Sequence, residues 1–281
     1  MTISGAAKLA GVAGWPIGHS LSPALHGYWI AEHKLDAAYV PLAIEPEQFA
    51  DGFRALARLG FRGLNVTLPH KEAAFRLVDT RDETAEATGA VNTVLFEGGR
   101  AFGRNTDVYG FAELLREGGV ASLASGDVVV LGAGGAARGV VAALFSLGAQ
   151  RIHLVNRTQQ KAQALVSHFG ARVVVHEWAA LPCLLATAGL LVNTTSLGMA
   201  GQPALEIDLT PMRAGAVADI VYCPLDTPLL LRARAQGLKT VDGLGMLLHQ
   251  ARPGFAVWFG VEPQVTPGLR AHLVSILEGR R

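Results

Sequence analysis

The chain has little of what marks a secreted, metal-holding or nucleic-acid-binding protein. Only 2 cysteines, Cys183 and Cys223, occur in 281 residues. They match no metal or redox spacing and read as small core hydrophobes in a reducing compartment. The 9 histidines are scattered, with no helical pair backed by a carboxylate, so no metal site is expected. Charged residues make up 17%, the net charge is +1, and no Lys/Arg-rich run occurs. Nothing therefore argues for a nucleic-acid partner. The amino terminus lacks the cationic lead and apolar run of a signal peptide. The stretch 178–205 carries no charge and is long enough to span a bilayer, but Pro182, Asn193 and Gln202 interrupt it. It reads as a short helix, a buried strand "GLLVN" and a glycine-containing loop. The expectation is a soluble, cytoplasmic protein without a membrane partner.

What is present is apolar residue and glycine: half the residues are hydrophobic and 33 are glycine. That length and composition suit two α/β domains with many tight turns. "LAGVAGW", "AAYVPLAI" and "FRGLNVTL" read as strands, with helices over 22–33 and 46–59 between them. This alternation predicts a parallel or mixed sheet. "AVNTVLFEGGRAFGRNTD" predicts a hairpin turning at Gly98-Gly99. A helix over 108–117 then leads into a polar connection.

The segment "DVVVLGAGGAARGVVAALFSLGAQRIHLVNRT" places Gly132, Gly134 and Ala137 between a buried strand (127–131) and a helix. That is the dinucleotide fingerprint in its strand–turn–helix setting. Gly132 permits the turn and Gly134 lets a pyrophosphate approach. Ala133, Gly135 and Ala136 complete the loop at the helix N-terminus, a natural anion seat. The strands "ARVVV", "GLLVNTT", "AVADIVY" and "KTVDG" fill out a doubly wound Rossmann sheet. An NAD ribose would meet a carboxylate at the end of the second strand. The chain instead has Asn156, Arg157 and Thr158, with Lys161 a turn further on, which favours NADP. Thr158 also reads as a plain helix cap.

The stretch "GWPIGHSLSPALHG" poses a choice. Ser22 before Pro23 reads as a helix N-cap. Ser20 is then unexplained, unless both hydroxyls seat a carboxylate at the helix start. "GWPIGHSLSPALH", "NVTLPHKE", "GAVNT", "GRNTD", "GAGGAARG", "NRT", "NTTSLGM", "DIVYCP" and "DGLGMLLHQA" resolve it. In this order, over nearly the whole chain, they resemble the shikimate dehydrogenase family.

The resemblance implies NADP-dependent interconversion of 3-dehydroshikimate and shikimate, on the route to chorismate and aromatic amino acids. It implies that Ser20 and Ser22 bind the substrate carboxylate. Asn65, Thr67, Asn92 and Asp107 would line the ring hydroxyls, with Tyr222 and Gln250 closing the site. Met199, Ile220 and Gly243 would touch the cofactor, and Glu83 aligns with a cofactor-side position. Lys71 is the candidate proton carrier, with Asp107 holding it; a plain helix-start lysine and a helix cap are the bland readings. His19 and His70 read as supporting residues, a histidine base being the runner-up. Two departures stand out: Lys161 where many relatives carry arginine, and Gly27 where asparagine is common.

The expected division is a substrate domain over 1–106 with 243–281, and an NADP-binding domain over 107–242, in a monomer or homodimer. A quinate- or aminoshikimate-preferring relative remains an alternative, although the Ser-x-Ser pair favours shikimate. A non-catalytic NADP-sensing protein is the other, and the presence of both Lys71 and Asp107 speaks against it.

Overall fold

The computed structural model describes residues 3–123 and 126–279. The chain divides into two compact units, Met1–Asp107 with Leu247–Arg281, and Val108–Met246. The first holds β1 (Lys8–Gly14), β2 (Ala37–Ala43), β3 (Gly63–Val66), β4 (Thr80–Arg81), β5 (Thr93–Glu97) and β6 (Arg100–Arg104). They form one mixed sheet in the order β2-β1-β3-β5-β6-β4. Its helices are α1 (Ser22–Glu32), α2 (Phe49–Arg58), α3 (Lys71–Leu77) and α4 (Glu83–Thr88); α5 (Asp107–Glu117) begins at the boundary.

Position in the sheet explains the residues each strand uses. β1 lies between β2 and β3, parallel to both, and is buried from Ala10 to Gly14. A strand covered on both faces needs a continuous apolar run, which "AGVAG" provides. β2 is the edge, so Pro41 can sit inside it without breaking a ladder bond on a second side. β5 and β6 pair antiparallel around Gly98 (φ 58°) and Gly99 (φ 76°). Two successive positive φ values make the tight hairpin turn that the Gly-Gly pair predicts.

Three expectations need correction. The helix expected over 46–59 opens with a 3₁₀ turn, Pro46–Gln48, before α2. β4 and α4 were not anticipated, and α3 only as the helix start at Lys71; each is short, and α4 is closed by Asp82, whose carboxylate accepts the Ala85 N–H at 2.8 Å, and by Gly89 (φ 62°). Ser22 is not the cap of α1: Leu21 holds that place and makes no side-chain cap bond. The Ser20 hydroxyl accepts from the Ser22 N–H instead, at 3.2 Å.

The second unit holds β7 (Asp127–Leu131), β8 (Ile152–Val155), β9 (Val173–His176), β10 (Ala188–Asn193), β11 (Ala216–Asp219) and β12 (Lys239–Val241). All are parallel, in the order β12-β11-β10-β7-β8-β9. This is the doubly wound Rossmann arrangement, with the order reversing at β7 and β10. Helices α6 (Gly135–Ser146), α7 (Gln159–Phe169), α8 (Leu181–Leu185) and α9 (Pro228–Ala235) connect the strands. Val128, Val130, Ile152 and Leu154 point into one core layer, Val129, Leu131, Val155 and Leu191 into the other. The charge-free stretch is a 3₁₀ turn, α8, β10 and a loop, and no helix of the described residues is long and apolar enough to cross a membrane.

The unit boundary falls inside α10 (Leu244–Phe259), which is followed by α11 (Pro267–Gly279). In the first unit α10 packs closely on the sheet. The Trp258 indole N–H donates to the Val94 carbonyl at 2.8 Å, directly over Gly63, where a Cβ would overlap the indole. Trp258, Phe255 and Trp29 surround the fully buried His26.

Neither ring nitrogen of His26 has a hydrogen-bond partner. Burial pushes its pKa down to about 3, against a smaller opposite pull from the Asn65 amide. The folded form therefore binds fewer protons than the unfolded chain, and stability is lost as pH falls from about 6.5 toward 3. Between pH 7 and pH 5 this one residue should cost about 2 kcal/mol. Urea unfolding of wild type and His26→Phe at both pH values checks it. The wild-type loss should exceed the variant's by that amount, and equal losses would exclude a neutral buried imidazole.

Candidate active site

The polar cluster of the first unit is built at the ends of β3 and β6. Past β3, the loop 67–70 is pinned by His70, whose Nε2 lies 2.7 Å from the Ile44 carbonyl. The His70 ring also stacks on Phe49 at 4.3 Å, so it is occupied as a structural residue. Lys71 follows as the first residue of α3. Past β6, the Asn105 side chain accepts the Asp107 N–H at 3.1 Å. Asp107 is thus the first residue of α5, and its carboxylate is left for another partner. That partner is Lys71: Nζ donates to Oδ2 at 2.6 Å, with the two side chains 21% and 13% exposed.

Asn92, 3% exposed, sets the carboxylate from behind. Its Oδ1 accepts the Thr106 backbone N–H at 2.8 Å. A backbone N–H can only donate, so this contact decides which end of the amide is oxygen. Nδ2 must then face Asp107 Oδ1, to which it donates at 2.8 Å. It also lies 3.4 Å from Oε1 of Gln250 on α10. Asn65 is ordered in the same manner: Nδ2 donates to the Asn92 carbonyl at 3.1 Å and to the Thr93 hydroxyl at 3.0 Å. Its Oδ1 therefore accepts, and the donor is the buried Tyr39 hydroxyl at 2.6 Å.

Asn65, Lys71, Asn92, Asp107 and Gln250 are thus joined in one network. Ser20 and the buried Ser22 lie at the start of α1, and the half-buried Thr67 just past β3. Tyr39, Thr93 and Thr106 belong to the network but were missed from sequence. Tyr39 stands in an apolar strand run, where a tyrosine carries no signal that separates it from core, and Thr93 and Thr106 stand in "GAVNT" and "GRNTD" beside the residues given a role there.

In the second unit, Gly132 has φ 99°, and a Cβ there would sit 2.8 Å from Thr195 Cγ2. Gly134 holds the N-cap position of α6 without a side-chain cap, and a Cβ on it would meet nothing within 4 Å. Ala133, Gly135 and Ala136 surround this uncapped start, whose first turn carries no acidic residue. An uncapped helix start with open space before it and no competing carboxylate fits a pyrophosphate. Asn156 braces the turn: its Oδ1 accepts the Ala133 N–H at 3.1 Å and its Nδ2 donates to the Thr158 carbonyl at 2.6 Å. Thr158 occupies the N-cap position of α7 but forms no side-chain cap bond. Arg157 and Lys161 are exposed beside it. The donor set suits a dinucleotide bearing a further phosphate.

A second brace fixes the loops after β10 and β11. Asp219 is completely buried and accepts from Asn193 Nδ2 at 2.9 Å, the Val221 N–H at 3.0 Å and Thr227 Oγ1 at 2.8 Å. Burial raises its pKa, and these three donors oppose the rise. Tyr222 and Ile220 follow Asp219 directly, and Gly243 packs so tightly on the Ile220 carbonyl that no side chain fits. Met199 is exposed in the neighbouring loop, which the Ala200 N–H ties to the Cys223 carbonyl at 2.8 Å. Glu83, in the first unit, opens α4 and is exposed.

Comparison with known proteins gives the family. The shikimate dehydrogenase substrate binding domain matches residues 12–94, and the shikimate / quinate 5-dehydrogenase family matches residues 115–200. The shikimate dehydrogenase (NADP(+)) of Rhodospirillum rubrum is 54% identical over 97% of this chain and 99% of its own. A Thermus thermophilus shikimate 5-dehydrogenase, solved with NADP(H) and shikimate, shares 37% identity with a TM-score of 0.83. That match covers 98% of this chain and all of the other. A quinate dehydrogenase of Corynebacterium glutamicum, solved with NAD, shares 32% identity over 96% of this chain and 99% of its own, with a TM-score of 0.88. The chain belongs to the shikimate dehydrogenase family.

Proposed function

We propose that the protein is an oxidoreductase that interconverts shikimate and 3-dehydroshikimate with NADP. The observation that carries this reading is the Lys71–Asp107 contact, oriented by Asn92 within one buried network. The first unit is the substrate domain: Ser20 and Ser22 take the carboxylate, and Asn65, Thr67, Asn92 and Gln250 take the ring hydroxyls. The second unit takes the nucleotide. Gly132 to Ala136 receive the pyrophosphate, Arg157 and Lys161 the additional phosphate. Bound NADP would supply or accept the hydride.

The chain's own work is then binding, orientation and one proton. Reducing a ring ketone leaves an alkoxide oxygen, which needs a proton and nearby positive charge. The Lys71 ammonium gives both, and Asp107 keeps Nζ in place while the proton leaves. In the oxidation direction Lys71 accepts the hydroxyl proton. Asn92 donates to the Asp107 carboxylate and to Gln250 Oε1, so the two amides fix geometry rather than carry protons.

NADPH absorbance during incubation with shikimate, and separately with quinate, tests the activity. Turnover of quinate alone would assign the chain to the quinate-preferring branch. Lys71→Ala should lower kcat by roughly 10²–10⁴ with NADP binding little changed. Asp107→Ala should also lower it, and the losses should not add, because both act at one hydroxyl. Near-full turnover of Lys71→Ala would remove Lys71 as the proton carrier.

Cofactor choice is tested at Arg157. A charge-assisted hydrogen bond is worth about 1.5–3 kcal/mol, so Arg157→Ala should weaken NADP use about ten- to a hundredfold. NAD use should hardly move. Measured kcat/KM values with both cofactors decide it, and equal losses would reduce Arg157 to a residue of the fold.

A further inference from the structure

Tyr39 lies behind the proton pair and touches neither Lys71 nor Asp107 by hydrogen bond. It is 8% exposed, on the edge strand β2, and its ring is held between aromatic neighbours. The His26 ring stacks on it at 3.9 Å and 8°, and Trp258 lies 6.0 Å away on a tilted plane. Burial pushes the Tyr39 phenol well up, against a smaller opposite pull from the Ser22 hydroxyl. The phenol therefore keeps its proton and remains a donor.

Its acceptor is fixed as well. Asn65 spends Nδ2 on the Asn92 carbonyl, an acceptor that cannot reverse, so only Oδ1 is left for the phenol. From Asn65 the chain continues to the Thr93 hydroxyl at 3.0 Å, and from Thr93 to Asn92 Oδ1 at 3.1 Å. Asn92 then donates to Asp107, and Asp107 holds Lys71. Each link is a donor meeting an acceptor.

We propose that Tyr39 is a positioning residue of the site, acting through Asn65, Thr93 and Asn92 on the Lys71–Asp107 pair. This rests on the function proposed above. Removing the phenol oxygen leaves Asn65 Oδ1 buried without a donor, and Asn65 gains by turning toward another partner. That turn withdraws Nδ2 from Thr93 and the Asn92 carbonyl and loosens the amide that orients Asp107. Small displacements of a proton carrier act on turnover more than on affinity.

The test is Tyr39→Phe, which keeps the ring and its stack on His26, with Thr93→Val as a second variant that cuts the chain one link later. Neither residue is assigned to substrate. Wild-type turnover of shikimate is measured first. Its absence would overturn the proposed function and this inference together. With wild type active, each variant should lower kcat about tenfold, and any rise in KM for shikimate through the displaced Asn65 or Asn92 should be the smaller effect. The double variant should be no slower than the worse single one, because both act through Asn92. A shift in melting temperature without a change in kcat would overturn the proposal and leave the function standing. So would a change confined to KM, or kcat losses that multiply. If Tyr39→Phe does not fold, an unchanged kcat in Thr93→Val overturns it alone.

Discussion

A carboxamide can be turned end for end at little steric cost, and in Asn92 one backbone N–H forbids it. The Thr106 backbone N–H can only donate, so Oδ1 must face it and Nδ2 must face Asp107. The orientation of the donor that meets Asp107 Oδ1 follows from that contact. Thr106 in turn sits just past β6, whose pairing with β5 brings Arg104 opposite Thr93. The hairpin closed by Gly98-Gly99 thus sets, through its register, the distance between Asn92 and the start of α5. A slip of one residue would turn Asn92 to the other face of the sheet and abolish the network.

How much of this is visible in the sequence depends on the kind of residue. The strands around the glycine turn can be read because a fully covered parallel strand must be a continuous apolar run. The Gly-Gly hairpin can be read because two positive φ values demand it. Lys71 and Asp107 are legible only through the family motif, since a lysine and an aspartate at helix starts are ordinary. Their pairing across the fold, at 2.6 Å, has no local signature. Ser22 shows the limit of local rules. Its place before proline suggests a cap, yet the structure gives the accepting oxygen to Ser20. Tyr39 is the opposite case. In "AAYVPLAI" it looks like one more core side chain, and its hydroxyl matters only because β2 lies beside β1, across from Asn65.

Asn156 extends the lesson to the nucleotide unit. From sequence it marks the absence of a carboxylate, and so the choice of cofactor. In the structure it also holds the Ala133 N–H and the Thr158 carbonyl, bracing the phosphate turn against the next loop. A carboxylate there could accept from Ala133 but could not donate to Thr158. An Asn156→Asp change would therefore also loosen the turn.

Asp219 applies the principle of Asn92 with the charge reversed in role. It is a buried carboxylate that reaches no cation among its hydrogen-bond partners, and it meets three donors, from Asn193, Val221 and Thr227. Burial favours its neutral form and the donors favour the ion, which makes the residue costly unless all three stay in place. Those donors belong to the end of β10, the turn past β11 and the N-cap of α9. The cost of an unsatisfied carboxylate thus ties the three segments together. The loops that carry Met199, Ile220 and Tyr222 inherit their positions from that tie. In both units, then, buried polar residues set the places of the side chains around them.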